Sequence, residues 1–334
     1  MATDIGYDWR PLDPGQAGAW ADLLAAVEEH DHSDEILGEA DLIEEFADPN
    51  KDFARGSIAV YDGATMIGHS VLIFREAPGA VHHMHEWGTV RPEFRGQGVG
   101  TRLLEWSQRA AIGLHTDLYP GLPLALDGAC LVRNTEAMEL FAAQGFEQAR
   151  WFHRMTLEPT ADPPRPADPP GVSITALTAD HHAAAMSVRN EAFRDHWGST
   201  EMSPQSWAHW LGYAAFRPGC SFIAYADGAP AGIVIGHEYD AYTEATGAPR
   251  TLYRAGRYPQ VGARPRDRVG AARARAGGRT GRRRVLGVPR GGRRLAHRRA
   301  RPVRADRLHG HRHLGHPPQG PARRLGPAPD RLPA

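Results

Sequence analysis

A glycine-rich turn between a strand-like and a helix-like segment constrains the fold of this chain more than any other feature. The turn reads V-R-P-E-F-R-G-Q-G-V-G-T over residues 90–101. Its glycines let the backbone approach a ligand closely, and the free amides that open the following helix point towards an anion with the helix dipole behind them. A pyrophosphate would therefore fit against this turn.

The turn by itself leaves its ligand open. The same letters occur in glycine-rich turns that bind nothing and in dinucleotide-binding turns. Arg95 and Arg102 add two guanidinium groups that can make charge-assisted hydrogen bonds to an anion. The order of the surrounding segments has to decide between these alternatives.

Those segments alternate between helical and strand-like patterns. Asp62-Gly63, between two apolar runs with β-branched residues, is a hairpin turn signal. We predict helices over 14–29, 100 to about 112 and 135–143, and strands over 57–61, 66–74, 87–90, 122–126 and 146–157. The turn thus lies inside a domain of mixed helices and strands.

The order R-G-x-G-x-G resembles the coenzyme A loop of the GNAT superfamily of N-acetyltransferases. Asn134, followed by A-M-E-L-F-A-A-Q-G-F over residues 137–146, resembles a later motif of that family. The resemblance implies an α/β GNAT acyl-CoA N-acyltransferase fold, with a mixed, mostly antiparallel sheet flanked by helices. It also implies acetyl-CoA as cosubstrate without a metal, Asn134 near the pantetheine arm, and a cofactor-binding set of Val90, Arg95, Gly96, Gln97, Gly98, Val99, Gly100 and Thr101.

The reaction implied by the resemblance needs a base for the attacking ammonium and an acid for the departing thiolate. Glu86 lies just upstream of the loop and is the candidate base, with a solvated strand carboxylate as the alternative. Many family members have a tyrosine where this chain has Phe141, and a phenyl ring cannot donate a proton. A domain that binds the cofactor without efficient catalysis is therefore the rival prediction.

Two other groups of residues invite functional interpretations that we do not favour. His82, His83 and His85 suggest a metal site, but neighbouring strand residues point to opposite faces, so a polar strand face is the expected alternative. Trp207 and Trp210 are at helical spacing and are expected to pack in a core rather than bind a substrate.

The second half of the chain repeats the order of the first. S-I-A-V-Y-D-G over residues 57–63 recurs as S-F-I-A-Y-A-D-G over residues 221–228, which indicates a tandem duplication. We predict a GNAT domain at 1–158, a proline-rich linker at 159–171, the N-terminal part of a second GNAT domain at 172–250, and an arginine-, glycine- and proline-rich tail at 251–334.

The tail is too poor in apolar residues to complete that second domain. From Ala255 onwards it has no Ile, Phe, Trp or Met, and no Lys or Glu. A nucleic-acid-binding tail is one interpretation, but no motif or aromatic platform supports it, so a nucleic-acid partner is not expected. We predict instead that the tail is translated out of frame and is disordered.

A shift of one nucleotide restores family-like sequence. Back-translated in that frame, residues 252–276 permit a second R-G-R-G-I-A loop, and residues 288–320 permit a strand, a helix with L-Y-E-R-T-G-F and a closing strand. So completed, the chain resembles tandem GNAT proteins of the mycothiol synthase type, in which the second domain carries catalysis. The segment N-E-A-F-R-D-H-W-G over residues 190–198 fits that resemblance.

Composition limits the remaining possibilities. No apolar run approaches the roughly 20 residues that span a bilayer, so a soluble cytoplasmic protein without a membrane partner is expected. Cys130 and Cys220 lie far apart and predict neither a disulfide framework nor a metal site. The expected activity is acetyl transfer from acetyl-CoA to an amine of a small molecule, and the alternative is a non-catalytic coenzyme A-binding scaffold. The sequence does not predict the oligomeric state.

Overall fold

The computed structural model describes residues 6–74, 78–157, 170–196, 198–257 and 307–314. They fall into two compact units. The first unit contains the described residues up to Trp151 together with a strand at residues 307–314. The second unit begins at Phe152 and contains the remaining described residues.

The first unit contains the predicted helices and strands in the predicted order, together with one short strand and two short helices that the sequence did not predict. Its elements are β1 (Asp8–Arg10), α1 (Ala17–Asp31), α2 (Glu39–Glu45), α3 (Phe53–Gly56), β2 (Ser57–Asp62), β3 (Thr65–Ile73), β4 (His82–Val90), α4 (Val99–Leu118), β5 (Leu124–Leu131), α5 (Thr135–Ala143) and β6 (Glu147–Phe152).

The second unit is shorter. Its elements are β7 (Val172–Ala176), α6 (His182–Ala192), α7 (Pro204–Gly212), β8 (Phe222–Ala226), β9 (Ala229–His237), α8 (Asp240–Thr246) and β10 (Leu252–Arg257). The last described strand, β11 (Arg307–Leu314), belongs to the first unit.

The sheet of the first unit has the strand order β1-β2-β3-β4-β5-β11-β6. The pairs β1–β2, β2–β3 and β3–β4 are antiparallel, and so is the pair β5–β11. The central pair, β4 and β5, is parallel. The predicted mixed, mostly antiparallel sheet is therefore confirmed. Helix α4 packs on β3, β4 and β5, which places the start of this helix at the carboxyl end of β4.

Apolar clusters cover both faces of this sheet. On one face Trp20 of α1 is fully buried and contacts Trp87 with ring centroids 5.1 Å apart. On the other face Met84 and Leu126 pack with Leu104 and Leu114 of α4. Burial of large apolar side chains is worth about 1.5–3 kcal/mol each, so these two layers fix β4 and β5 in the centre of the unit.

The only lysine of the chain is buried in the first unit. Lys51 has a side chain that is 4% exposed, and its ammonium pairs with the carboxylates of Glu45 and Asp48. The distance to Asp48 is 2.9 Å. Burial raises the pKa of Asp48, but the charge of Lys51 and hydrogen bonds from Asn50 and Lys51 together bring it below its ordinary value. The ammonium is thus neutralised inside the fold.

The duplicated motif forms the same kind of hairpin in both units. Strands β2 and β3 pair antiparallel in the first unit, as β8 and β9 do in the second. Each hairpin has a register irregularity at the residue before its tyrosine, between Val60 and Tyr61 and between Ala224 and Tyr225. A bulge at the same place in both copies supports the predicted duplication.

The second unit contains a four-stranded sheet of order β10-β9-β8-β7, in which all three pairs are antiparallel. Trp207 and Trp210 pack in its core with ring centroids 5.5 Å apart, as predicted. Among the described residues, this sheet has fewer strands than that of the first unit.

Two parts of the tail that we predicted to be disordered are strands. Strand β10 closes one edge of the second sheet, and β11 lies between β5 and β6 in the first. Backbone pairing needs no particular side chain, which is how a segment of unfavourable composition can occupy a strand position. The rest of the tail and most of the predicted linker lie outside the described residues, and the division into domains stays a prediction.

Candidate functional site

Strands β4 and β5 separate at the centre of the first sheet. Their parallel pairing runs from His82 and Leu124 to Glu86 and Gly128 and stops there. Beyond that point β4 continues to Val90 paired with β3 alone, and β5 continues paired with β11 alone. The two strands therefore leave a wedge between edges that do not pair with each other. A cavity of about 230 Å³ is lined by both edges.

The glycine-rich turn lies at the open end of this wedge. Gly96 and Gly98 have positive φ angles of 71° and 85°, and Gly98 is the N-cap of α4. The first hydrogen bond of the helix runs from the Arg102 amide to the Gly98 carbonyl over 3.1 Å. In the described part of the chain, no acceptor is recorded for the amides of residues 96–101.

Space for a ligand adjoins these amides. A Cβ atom added at Gly96 or at Gly98 would meet no heavy atom within 4 Å. Amides at a helix N-terminus without acceptors, next to open space, form an anion site of the kind that the sequence predicts. Gly100 differs, because an added Cβ would lie 3.1 Å from Leu140 Cδ2. That glycine lets α4 and α5 pack closely.

We expected the side chain of Arg95 to bond an anion, but in the structure it is paired with groups of the protein. Its guanidinium makes two hydrogen bonds of 2.8 Å to the carboxylate of Asp31 at the end of α1, and its Nε donates to the Val90 carbonyl over 3.1 Å. The Arg95 amide also has an acceptor, the Pro92 carbonyl. Arg95 lines both cavities described at this site, whereas Arg102 lines neither of them.

Gln97 and Asn134 are both tied to nearby backbone. The Gln97 side-chain amide donates to the Glu93 carbonyl over 3.0 Å, which stabilises the turn. Asn134 caps α5, because its Oδ1 accepts from the Ala137 amide over 3.0 Å. Asn134 also lines the wedge cavity and a second cavity of about 450 Å³ that extends along the turn.

Arg133 was not anticipated from the sequence. Its Nε donates to the carbonyl of Asp31 over 3.0 Å, and its Nη2 also reaches the carbonyl of His32. Basic side chains bind the free carbonyls at a helix C-terminus favourably. Arg95 and Arg133 therefore connect the end of α1 to the loops that follow β4 and β5.

Glu86 lies where the two strands separate. Only 7% of its surface is exposed, it lines the wedge cavity, and it accepts a hydrogen bond of 3.0 Å from Ser70. Burial raises the pKa of its carboxyl to about 7, although the Ser70 hydrogen bond lowers it in part. The solvated carboxylate considered as an alternative does not fit this burial.

Gly88 makes room for that carboxyl group. A Cβ atom added at Gly88 would lie 2.1 Å from Glu86 Oε1. Residues two apart on a strand share a face, so the Glu86 side chain lies along β4 over Gly88, towards the wedge. The sequence pattern E-W-G-T-V contains this signal, since a glycine inside a strand marks a close approach of another group.

Phe141 of α5 covers the neighbouring position on β5. A Cβ atom added at Gly128, the strand partner of Glu86, would lie 2.5 Å from Phe141 Cε1. The phenyl ring therefore lies directly over the backbone at the point where the strands separate. It has no proton to donate there.

The histidines of β4 divide between separate environments. His82 is fully buried, with its Nδ1 2.9 Å from Nδ1 of His115, and burial lowers its pKa to about 4, with the charges of His115 and His83 adding to that effect. His83 Nδ1 lies 2.9 Å from Asp127 Oδ2, while His85 lines the wedge cavity. Within the described ranges, no group of three or more His, Cys, Asp or Glu residues is arranged to hold a metal ion.

The described residues also include no helix with the length and apolar character needed to cross a membrane. Cys130 and Cys220 are both free thiols.

Comparison with known proteins defines the class of this fold and site. Residues 54–148 match the family model described as an acetyltransferase (GNAT) domain. This range contains β4, the wedge, the glycine-rich turn and α5. No curated protein sequence matches the chain.

Solved structures agree with that match at the level of the fold. A GCN5-related N-acetyltransferase from Sphaerobacter thermophilus is 17% identical, with 94% of this chain and 98% of that chain covered and a TM-score of 0.61. A tandem GNAT protein from the clavulanic acid biosynthesis pathway is 14% identical, with 92% and 99% covered and a TM-score of 0.53.

The fold is therefore the one found in GNAT acetyltransferases. More specifically, residues 54–148 are similar to the acetyltransferase (GNAT) domain, as the loop and the Asn134 motif predict.

Proposed function

We propose that the first unit transfers an acetyl group from acetyl-CoA to an amine of a small molecule. One observation carries the proposal. The buried carboxyl group of Glu86 lines the same cavity as Val90 and Gly100, which border the amides of the glycine-rich turn. A candidate base and a candidate anion site are thus held at the two ends of one wedge.

The residues of the turn fit the phosphates of acetyl-CoA, which supplies the acetyl group as a thioester. The amides of residues 96–101 would hold the pyrophosphate at the N-terminus of α4, and Arg102 would add charge. Polar backbone groups on the separated edges of β4 and β5 would hold the pantetheine arm near Asn134. Unpaired backbone groups of this kind need partners, which an extended amide-containing chain provides.

Glu86 has the properties of a general base in this reaction. With a pKa of about 7 it is ionised in a substantial fraction of molecules at neutral pH and can accept a proton from the attacking ammonium. The neutral amine then forms its N–C bond to the acetyl carbon as the C–S bond breaks. Backbone amides of the strand edge would stabilise the carbonyl oxygen. The nitrogen would then release its surplus proton to solvent and, since Phe141 cannot donate, the thiolate would take its proton from solvent.

The direct test uses the purified full chain, acetyl-CoA and a panel of small-molecule amines. We expect amine-dependent release of coenzyme A, measured as free thiol, together with an acetylated amine identified by mass spectrometry. Glu86→Gln should retain acetyl-CoA binding by calorimetry while amine-dependent release falls at least 100-fold, the scale of a lost general base. Equal release by the wild type and Glu86→Gln would contradict the role of Glu86.

A second candidate function follows from Phe141. With a phenyl ring over Gly128 and no proton donor at that position, the first unit would bind acetyl-CoA without efficient turnover. It would then act as a coenzyme A-binding scaffold. Binding by calorimetry without thiol release for any amine would favour this function over the first.

Three finer predictions stay open. A mycothiol synthase-like acceptor rests on residues 190–198, where Asn190 exchanges two hydrogen bonds with the backbone of Met202 and so anchors the segment after α6. The shifted reading frame and the cytoplasmic location rest on the sequence alone.

A further inference from the structure

Two buried serine hydroxyls connect the Glu86 carboxyl group to helix α4. Ser70 Oγ lies 3.0 Å from Glu86 Oε1 and 2.8 Å from Ser107 Oγ. Ser107 Oγ lies 2.9 Å from the carbonyl oxygen of Leu103. Both serines have no exposed surface, so the three contacts form one chain inside the protein.

The number of protons shared among these three contacts depends on whether Glu86 is ionised or protonated. Each serine hydroxyl donates one proton, so an ionised Glu86 leaves two protons for three contacts. Ser107 then donates to Ser70, and Ser70 donates to Glu86. When Glu86 is protonated there are three protons, and donation runs the other way, from Glu86 to Ser70, from Ser70 to Ser107, and from Ser107 to Leu103.

We propose that Ser70 and Ser107 are positioning residues for Glu86. Their hydroxyl groups reverse the direction in which they donate hydrogen bonds when Glu86 gains a proton. The carboxyl group keeps the same place in both protonation states, because a partner of the right kind is present in each. This inference rests on the proposed acetyl transfer, in which Glu86 gains and loses a proton in each turnover.

Other ionisable groups face the same cavity from the elements around it. They are Asp31 at the end of α1, Glu35 after it, His85 on β4, Arg95 in the turn and Cys130 on β5. The pKa of Glu86 is raised by burial and lowered by the Ser70 hydrogen bond. Ser70 is also its only recorded hydrogen-bond partner among the described residues. The serine chain is therefore the polar contact that controls this carboxyl group.

The two serines should have opposite effects on the protonation of Glu86. Ser70→Ala removes both the donor to the ionised carboxylate and the acceptor for the protonated carboxyl group, and the pKa of Glu86 should rise because the hydrogen bond to the charged form is the stronger of the two. Ser107→Ala removes the acceptor that the Ser70 proton needs when Glu86 is protonated, so the pKa should fall. A hydrogen bond of ordinary strength corresponds to a shift of about one pH unit in each direction.

The experiment measures kcat/KM against pH for the wild type and both alanine variants. We expect the acid limb to move about one unit up for Ser70→Ala and about one unit down for Ser107→Ala. Ser107→Thr keeps the hydroxyl and should return the limb to its wild-type position. Ser57→Ala is the matched control, since Ser57 is a buried serine of the same sheet that bonds Leu12 and Phe53 instead.

A direct titration separates this proposal from the proposed function. The carboxyl carbon of Glu86 is followed by NMR in protein with ¹³C-labelled glutamate, assigned with Glu86→Gln, and thermal unfolding confirms that each variant is folded. Opposite shifts in the two variants would support the serine chain even if no amine is acetylated. Shifts in the same direction, or none, would overturn it even if acetyl transfer is efficient.

Discussion

The guanidinium of Arg95 and the carboxylate of Asp31 form two parallel hydrogen bonds of 2.8 Å, across 64 residues of sequence. The pair joins the C-terminal end of α1 to the glycine-rich turn and is largely shielded, with side-chain exposures of 18% and 12%. Bidentate pairs of this type fix geometry as well as adding energy. The shape of the anion site therefore depends on a residue that does not belong to the turn.

Breaking this pair should weaken both the fold and the binding of acetyl-CoA. Arg95→Ala leaves the partly buried carboxylate of Asp31 without its guanidinium partner. We therefore expect a loss of about 3 kcal/mol in the free energy of unfolding. We also expect a weaker Kd for coenzyme A by calorimetry. Arg95→Lys keeps the positive charge but cannot make the two parallel hydrogen bonds, so it should recover only part of both losses. An unchanged Kd in Arg95→Ala would contradict the link between α1 and the turn.

The stabilising effect of Asp31 should depend on pH. Burial raises the pKa of Asp31, but hydrogen bonds and charges from Arg95 and His30 together bring it below its ordinary value. Its stabilisation is therefore present at neutral pH and is lost as the pH falls through the lowered pKa. The difference in stability between wild type and Asp31→Asn, from urea unfolding, should shrink steadily below about pH 4. A difference that is constant from pH 7 to pH 3 would exclude this account.

Glu86 should show the opposite dependence. Its folded pKa of about 7 lies above the ordinary value of 4.5, so the folded state holds a proton that the unfolded state has released. The contribution of this proton to stability is fully present below about pH 4.5 and is lost as the pH rises through 7. Glu86→Gln, which cannot ionise, should have a higher Tm than wild type at pH 8 and a similar or lower Tm at pH 4.5. If the Tm values of the two proteins changed with pH in parallel, the folded state would not raise the pKa of Glu86.

Adding a methyl group at Gly128 should disturb the centre of the wedge. The new Cβ would lie 2.5 Å from Phe141 Cε1, so Gly128→Ala should lower the free energy of unfolding by about 1–3 kcal/mol. Shortening the ring by Phe141→Leu in the same chain should restore part of the loss. Gly113→Ala in α4 is the control, because an added Cβ there meets nothing within 4 Å and alanine favours helix. Equal effects of the two glycine substitutions would rule out the contact with Phe141.

Removal of β11 should affect the first unit, although this strand lies far from it in sequence. Strand β11 pairs with β5 over eight residues, from Arg307 to Leu314. A chain that ends after Arg257 should therefore unfold at a lower temperature, and the β5 amides should exchange hydrogen faster. Unchanged exchange in β5 would mean that this pairing contributes nothing to stability in solution.

The reading-frame hypothesis makes a separate prediction about the gene. The sequence of β11, R-L-H-G-H-R-H-L, is poor in strand-forming residues for a position between two other strands. The shifted frame permits G-F-T-V-T-D-T-W in the same place, with β-branched and aromatic residues. We expect resequencing across the codons of residues 247–254 to reveal an insertion or deletion, and a repaired protein to be more stable. An intact frame would refute the hypothesis.

The parts of the fold that depend on local pattern were predictable from the sequence. The turn at residues 90–101, helix α5 and the hairpin at Asp62-Gly63 each carry their own signal within a few residues. The Arg95 pair with Asp31 and the position of β11 were not predictable, because both join segments far apart in the chain. Ser107 is intermediate, since a serine on the apolar face of α4 indicates a buried polar contact without naming its partner.

The burial of Lys51 has a consequence for experiments with acetyl donors. Since the chain has no other lysine and this one is enclosed by two carboxylates, thioesters in solution find no accessible ε-amine on the protein itself. Prolonged incubation with acetyl-CoA should leave the lysine-containing peptide unmodified in a tryptic digest. Any acetyl group consumed in an assay with an added amine can then be assigned to that amine without correction for self-modification at lysine.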